Sequence, residues 1–290
     1  MKPAAFRYHR PASLDAALAL LAEHGDAAKP IAGGQSLVPM MNLRLAQPAE
    51  LVDLGDLHAL RTIRFDGDAI EVGAMVRHHE LETDERVLER CPLLAEAAAT
   101  IGHYAIRQRG TVGGSLAHAD PAAQWPLVAA TLGATIEVAS ACGRRSLPAA
   151  SFFVAVMTTG LAPDELIVAV RFPAAARGEG AAYRAFARRT GDFAIASAAV
   201  ALELDGGAVR RLRLGVGGVG ATPVVLDAIA AAQAGRRADA AWDAAVAAAA
   251  RDAVRIEDVP RVPADYRREL VGTMVARALE AARARAGARR

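Results

Sequence analysis

The apolar positions of the opening segment LDAALALLAEHG recur at helical spacing. Leu14, Ala17, Leu18 and Leu21 share one face, Ser13 stands where an N-cap belongs, and Gly25 stands where a helix stops, so a helix is predicted over residues 14–24. KPIAGG then reads as a short strand running into glycines, LVPMMNLRLAQP as a turn or short helix, and ELVDLG as a second strand. Residues 1–55 therefore read as a small α/β unit.

From Leu60 the period changes to two. TIRF and AIEVGAMV alternate around Asp66-Gly67-Asp68, a tripeptide suited to the positive φ of a tight hairpin. A charged helix is expected from about His79 and another over residues 91–101, whereas IRQRG and TVGGSLAHADP read as a loop because of their glycines. ATIEVAS and LIVAVRFP read as strands, with FFVAVMTTGL and Pro163-Asp164 between them. Small residues with Gly178 and Gly180 suggest a linker over 174–180. Beyond it, AVALELDGGAVRRLRLGVGGV reads as a hairpin around Asp205-Gly206-Gly207, and helices are predicted near 224–234, 239–253 and 264–286. The expected class is α+β with divisions 1–55, 56–176 and 177–290; no repeat at a fixed period points to a solenoid.

Composition narrows the function. The chain is 53% hydrophobic but only 4% aromatic, so its core must be built closely from Ala, Val and Leu. With 34 basic and 32 acidic residues the net charge is +2, too balanced for a nucleic-acid footprint. Cys91 and Cys142 lie far apart in no ligand spacing, so neither a disulfide framework nor an iron–sulfur or zinc cage is expected. No apolar run reaches the roughly 18 residues of a membrane span, and the N-terminus lacks a signal-like apolar stretch, so a cytoplasmic chain is expected.

Two glycine pairs carry the candidate chemistry: Ala32, Gly33, Gly34, Gln35 and Ser36, and Thr111, Val112, Gly113, Gly114 and Ser115. A Gly-Gly step lets successive amides point one way with no Cβ intervening, and the following serine adds a donor. Either pair alone reads as an ordinary turn; two of the same design, facing each other, would suit a pyrophosphate. Residues 215–220 match GxGxxG but are followed by Ala221-Thr222-Pro223 rather than a helix, so they read as a decoy for a dinucleotide fingerprint. His118 with Asp120, and His78-His79, lack the third and fourth donors of a metal site, and no metal is expected at them. No serine or cysteine sits in a nucleophile motif.

The segments AGGQSLVPMMNLRLAQP, IRQRGTVGGSLAHADPAAQWP, RRTGDFAIA and DYRRELVGTMVARAL, in this order and over essentially the whole chain, resemble the FAD-binding medium subunit of the molybdenum hydroxylases, with carbon monoxide dehydrogenase medium chains among the similar proteins. The resemblance implies an FAD-binding fold of the vanillyl alcohol oxidase (PCMH) type in two subdomains, closed by a C-terminal α+β domain of the carbon monoxide dehydrogenase flavoprotein kind. It implies that both glycine motifs hold the pyrophosphate of non-covalent FAD and that Asp120 neighbours the adenosine half. Gln124 stands where the family usually has an acidic residue on the ribose diol. Ile167 matches an apolar position touching flavin or adenine, or is simply a core strand residue, and Phe193 falls where an aromatic ring lies near the isoalloxazine. Arg188 and Arg189 are read as a solvated pair.

The same resemblance implies an oxidoreductase subunit passing electrons from partner clusters through FAD to an external acceptor. A small subunit would carry two 2Fe–2S clusters and a large one the molybdenum cofactor, assembled as a dimer of heterotrimers. The alternatives are a free-standing flavin oxidase, for which no substrate-deprotonating base is evident, and a non-enzymatic FAD-binding module.

Overall fold

A computed structural model describes residues 2–257 and 262–288. The chain opens with β1 (Arg7–His9), α1 (Leu14–His24), β2 (Ala28–Ile31), α2 (Leu37–Asn42) and β3 (Glu50–Asp53). Ser13 caps α1 as expected, its side chain accepting from Ala16 N. The three strands form a parallel sheet with β3 in the middle. Ala17, Leu18 and Leu21 of α1 pack on it with Val52 and Leu54.

The middle region runs through β4 (Ile63–Asp66), β5 (Ala69–Gly73), α3 (His78–Thr83), α4 (Glu85–Arg90), α5 (Pro92–Ala99), α6 (Tyr104–Arg107), α7 (Val112–His118) and α8 (Gln124–Leu132). It continues as β6 (Thr135–Ser140), β7 (Gly143–Pro148), α9 (Ala149–Phe152), the small hairpin β8 (Phe153–Ala155) and β9 (Thr158–Thr159), and β10 (Leu166–Pro173). The main strands make an antiparallel sheet in the order β4-β5-β10-β6-β7. Gly67 turns the first hairpin at φ = +53°.

One reading of this region is corrected, and one helix lies where none is predicted. TVGGSLAHADP is not a loop: both glycines lie inside α7, which ends at Ala119 in the left-handed conformation. The helix α8 had no signal in the sequence because every one of its residues is buried. A helix with no polar face shows no amphipathic period.

The last region comprises β11 (Glu179–Phe186), β12 (Ala196–Asp205), β13 (Ala208–Gly217), β14 (Val224–Val225), α10 (Asp227–Ala231), α11 (Ala240–Ala253) and α12 (Ala264–Ala288). The strands form an antiparallel sheet in chain order. Gly206 and Gly207 turn the β12–β13 hairpin with φ of +57° and +88°. The linker reading fails for Gly180, which lies in β11; a Cβ there would sit 1.9 Å from Ala282 O of α12. The glycine and the buried alanines Ala198, Ala278 and Ala282 let the long helix lie close to the sheet. Among the described residues, no helix is long and apolar enough to cross a membrane.

Candidate functional site

The first glycine pair follows directly from β2. Ala32, Gly33, Gly34, Gln35 and Ser36 connect that strand to α2. Gly34 takes φ = +72°, whereas Gly33 keeps a conformation open to any residue. Gln35 Nε2 donates to Gly33 O at 3.1 Å. The N–H groups of Gly33, Gly34, Gln35 and Ser36 donate to no backbone carbonyl among the described residues. A left-handed glycine among free amides is the geometry of an anion-binding nest.

The second pair is built differently, and the expectation of two equivalent nests is corrected here. Thr111 caps α7, its Oγ1 accepting from Gly114 N at 3.2 Å. Val112 N donates to Val76 O at 3.0 Å, Gly113 N to Ala74 O at 2.9 Å and Ser115 N to Thr111 O at 3.0 Å. These amides are spent within the chain. Gly113 and Gly114 have no positive φ. Gly113 is required by close approach, because a Cβ would lie 2.5 Å from Ala74 Cβ and 2.8 Å from Ala74 O. What this motif leaves for an anion is the half-buried Ser115 hydroxyl.

Tertiary packing brings the two motifs together. A Cβ on Gly33 would lie 2.1 Å from Arg109 O and 2.8 Å from Gly110 Cα, and one on Gly114 would lie 3.5 Å from Ala32 Cβ. Arg109 and Gly110, which the sequence did not single out, therefore complete the junction.

A buried scaffold holds the second motif in place. His78 N donates to Gly110 O at 3.1 Å, and Trp125 Nε1 donates to His78 Nδ1 at 3.0 Å. Burial, with the Arg107 charge adding, pushes the His78 imidazole down to about 4, so it is neutral. Arg77 Nη1 donates to Gln108 O at 2.6 Å. Its guanidinium is pushed below the usual range by burial and by the charge of Arg61, with Glu80 opposing and Arg109 adding.

The other candidates surround this junction unevenly. Asp120 Oδ1 accepts from Ala122 N at 2.8 Å in the turn after α7. Gln124 is buried at the start of α8, where its Nε2 donates to Thr100 O and Thr100 Oγ1, both at 3.2 Å. Ile167 is buried in the main core beside a bulge in β10. Phe193 is 58% exposed, in the turn between β11 and β12. That turn touches the middle region through Gly191, whose φ is +88° and whose Cβ would meet the His103 ring at 2.5 Å.

Two glycines of the third cluster serve packing, while Gly218 N donates to Pro121 O at 2.9 Å, next to Asp120. Gly215 and Gly217 lie within β13 and accommodate α8: a Cβ at Gly215 would sit 2.0 Å from Thr131 Oγ1, and one at Gly217 3.1 Å from Leu127 Cδ2. His118 and His78-His79 belong to no cluster of three or more potential metal ligands among the described residues.

Residues 4–175 match the family described as the FAD binding domain in molybdopterin dehydrogenase, and residues 181–282 match the CO dehydrogenase flavoprotein C-terminal domain. The chain is 43% identical to the 6-hydroxypseudooxynicotine dehydrogenase complex subunit alpha of Paenarthrobacter nicotinovorans, covering 99% of this chain and 97% of the relative. It is 40% identical to the carbon monoxide dehydrogenase medium chain of Hydrogenophaga pseudoflava, over 98% of this chain and 99% of that one. The structure superposes on reconstituted CO dehydrogenase from Oligotropha carboxidovorans with a TM-score of 0.95 at 36% identity, covering 98% of this chain and 100% of that chain. These relatives are subunits of dehydrogenases, and the likeness extends through both parts of the chain. The paired glycine motifs thus lie in a flavoprotein of known architecture: the chain belongs to the family of FAD-binding medium subunits of the molybdenum hydroxylases.

Proposed function

We propose that this chain is the electron-relay subunit of a cytoplasmic molybdenum hydroxylase, organised as an FAD-binding pair of subdomains (1–55 and 56–176) and a closing domain (177–290). The contact of Gly33 with Arg109 and Gly110 carries this reading, because it sets the free amides of the first motif beside the segment that leads into Thr111–Ser115. In this reading the nest at Gly33, Gly34, Gln35 and Ser36 takes the pyrophosphate, and the first turn of α7 with Ser115 faces it from the other side. Arg109, whose backbone meets Gly33, would add positive charge near the nest.

Asp120 and Gln124 lie downstream of the second motif on the adenosine side. With Nε2 committed to Thr100, the Gln124 Oε1 is the group that would accept from a ribose hydroxyl. Ile167 would back the cofactor from the sheet, and Phe193 would place its exposed ring over the isoalloxazine. When bound, FAD supplies the storage of two electrons and their exchange one at a time; the chain binds, orients and tunes it.

Electrons would enter from 2Fe–2S clusters on a small partner subunit, supplied in turn by a molybdenum cofactor on a large one, and would leave to an external acceptor. Two cysteines, one buried and one exposed, provide no cluster ligands of the chain's own. The test is to purify the chain alone and with its co-expressed neighbours, and to add candidate aldehyde, carbon monoxide and N-heterocycle substrates. Flavin bleaching only with the neighbours present is expected; rapid bleaching by the isolated chain would make it a free-standing oxidase. Acid precipitation should leave all flavin in the supernatant, and colour in the pellet would contradict non-covalent binding.

A further inference from the structure

The first sheet carries a cluster that the flavin site does not use. Glu50 begins β3, the central strand, with its side chain only 3% exposed. His9 lies on the neighbouring β1, and His24 ends α1. One ligand atom from each of His9, His24 and Glu50 lies within 4.8 Å of the others. His9 Nε2 is 2.7 Å from Glu50 Oε2, and the two imidazole centroids are 5.6 Å apart with planes inclined by 31°. We propose that His9, His24 and Glu50 form a binding site for a divalent cation of zinc type, tying β1, β3 and the end of α1 together.

The donor set defines the ion. Two imidazoles and one carboxylate, with a fourth position left to water, suit zinc, cobalt or nickel; no thiolate is present to select a softer ion. Zinc ligands lie about 2.0–2.2 Å from the metal, hence about 3.3 Å from one another in a tetrahedron. Contraction from 4.8 Å falls to His9 and His24, whose side chains are 27% and 18% exposed and so have room to turn. Glu50, buried at the start of the central strand, is the fixed member of the set, with its Oε2 already 2.7 Å from His9 Nε2. The C-terminal end of α1 presents the negative end of its dipole to the same point, and Glu23 lies 4.0 Å from His24 Nε2.

Arg7 opposes the ion. Its Nε donates to Glu50 Oε1 at 2.7 Å, leaving Oε2 as the ligand atom, but its side chain is 75% exposed and able to swing into solvent. This competition distinguishes a cation site from a purely structural ion pair. Removal of Arg7 should tighten metal binding, whereas a structural pair gives it nothing to tighten.

The experiment is equilibrium dialysis of the FAD-loaded chain against buffered free Zn²⁺, with bound metal counted by mass spectrometry. A Cys142→Ser background removes the exposed thiol as a competing ligand. One equivalent is expected at micromolar free zinc, with affinity falling at least about tenfold in His24→Ala and Glu50→Gln. In Arg7→Ala it should rise by about fivefold. If Glu50→Gln fails to fold, His24→Ala carries the test alone, because His24 sits at a partly exposed helix end. Absence of bound zinc, or an unchanged equivalent in folded His24→Ala, overturns the proposal. Flavin content read in the same samples keeps this outcome separate from the fate of the FAD site.

Discussion

Trp125 donates its indole N–H to Nδ1 of His78 across 3.0 Å of protein interior, fixing the imidazole as the Nε2–H tautomer directly behind Gly110. Trp125 is fully buried and His78 is 4% exposed. The pair joins the start of α8 to the start of α3 and, through His78 N and Gly110 O, to the junction of the two glycine motifs.

Stability should therefore depend on this imidazole in a defined window. Below pH 6.5 the unfolded chain binds a proton that the folded chain refuses until about pH 4. Stability contributed by His78 is complete above 6.5 and falls as pH drops toward 4, by on the order of 3 kcal/mol. Chemical denaturation from pH 7 to 4 should show this slope in the wild type and a flatter one in His78→Asn. Equal slopes would show that His78 is not the buried neutral group.

Gly33→Ala should weaken FAD binding at least about tenfold, since its Cβ would meet the Arg109 carbonyl and neither backbone can yield without separating the motifs. The cause is contact, not φ. Gly217→Ala meets only the side-chain atoms Ser197 Oγ at 2.9 Å and Leu127 Cδ2 at 3.1 Å. It should lower the melting temperature slightly and leave flavin titration unchanged; equal losses at the two positions would assign the third glycine cluster to the site.

Thr111→Val should cost about 1 kcal/mol of stability, because it removes the acceptor for Gly114 N while keeping the side chain's shape. Thr111→Ser should retain most of it. Thermal melts of the two variants with and without FAD check the cap, and identical behaviour of Val and Ser would remove Thr111 from this role.

The C-terminal region is clamped to the middle one at Glu96 of α5, which accepts from Arg184 of β11 and, at 2.5 Å, from Arg285 of α12. These groups are partly exposed, so Glu96→Ala should cost only about 1 kcal/mol. Gly180→Ala, which would drive a Cβ into Ala282 O, should cost about 2 kcal/mol or more. Denaturant midpoints decide between the two magnitudes; a larger loss at Glu96 would make the ion cluster the dominant tie.

What the amino-acid sequence determined by itself was local. Ser13 and the spacing of Leu14, Leu18 and Leu21 specify α1 within one segment, and Asp66-Gly67-Asp68 and Asp205-Gly206-Gly207 specify their hairpins, because caps and turns are settled by residues in immediate succession. The glycine pairs, too, were legible as places where a backbone must come close to something. Only tertiary structure decided to what, Gly33 to Arg109 and Gly113 to Ala74, and only it showed that Gly180, read as a linker residue, meets Ala282 and that Gly215 meets Thr131. Similar letter patterns thus became a nest with free amides in one case and a capped helix with its amides spent in the other. α8 stayed silent because complete burial erases the period that marks a helix at a surface, and His9, His24 and Glu50 stayed unconnected because a parallel sheet, not their spacing, brings them to one point.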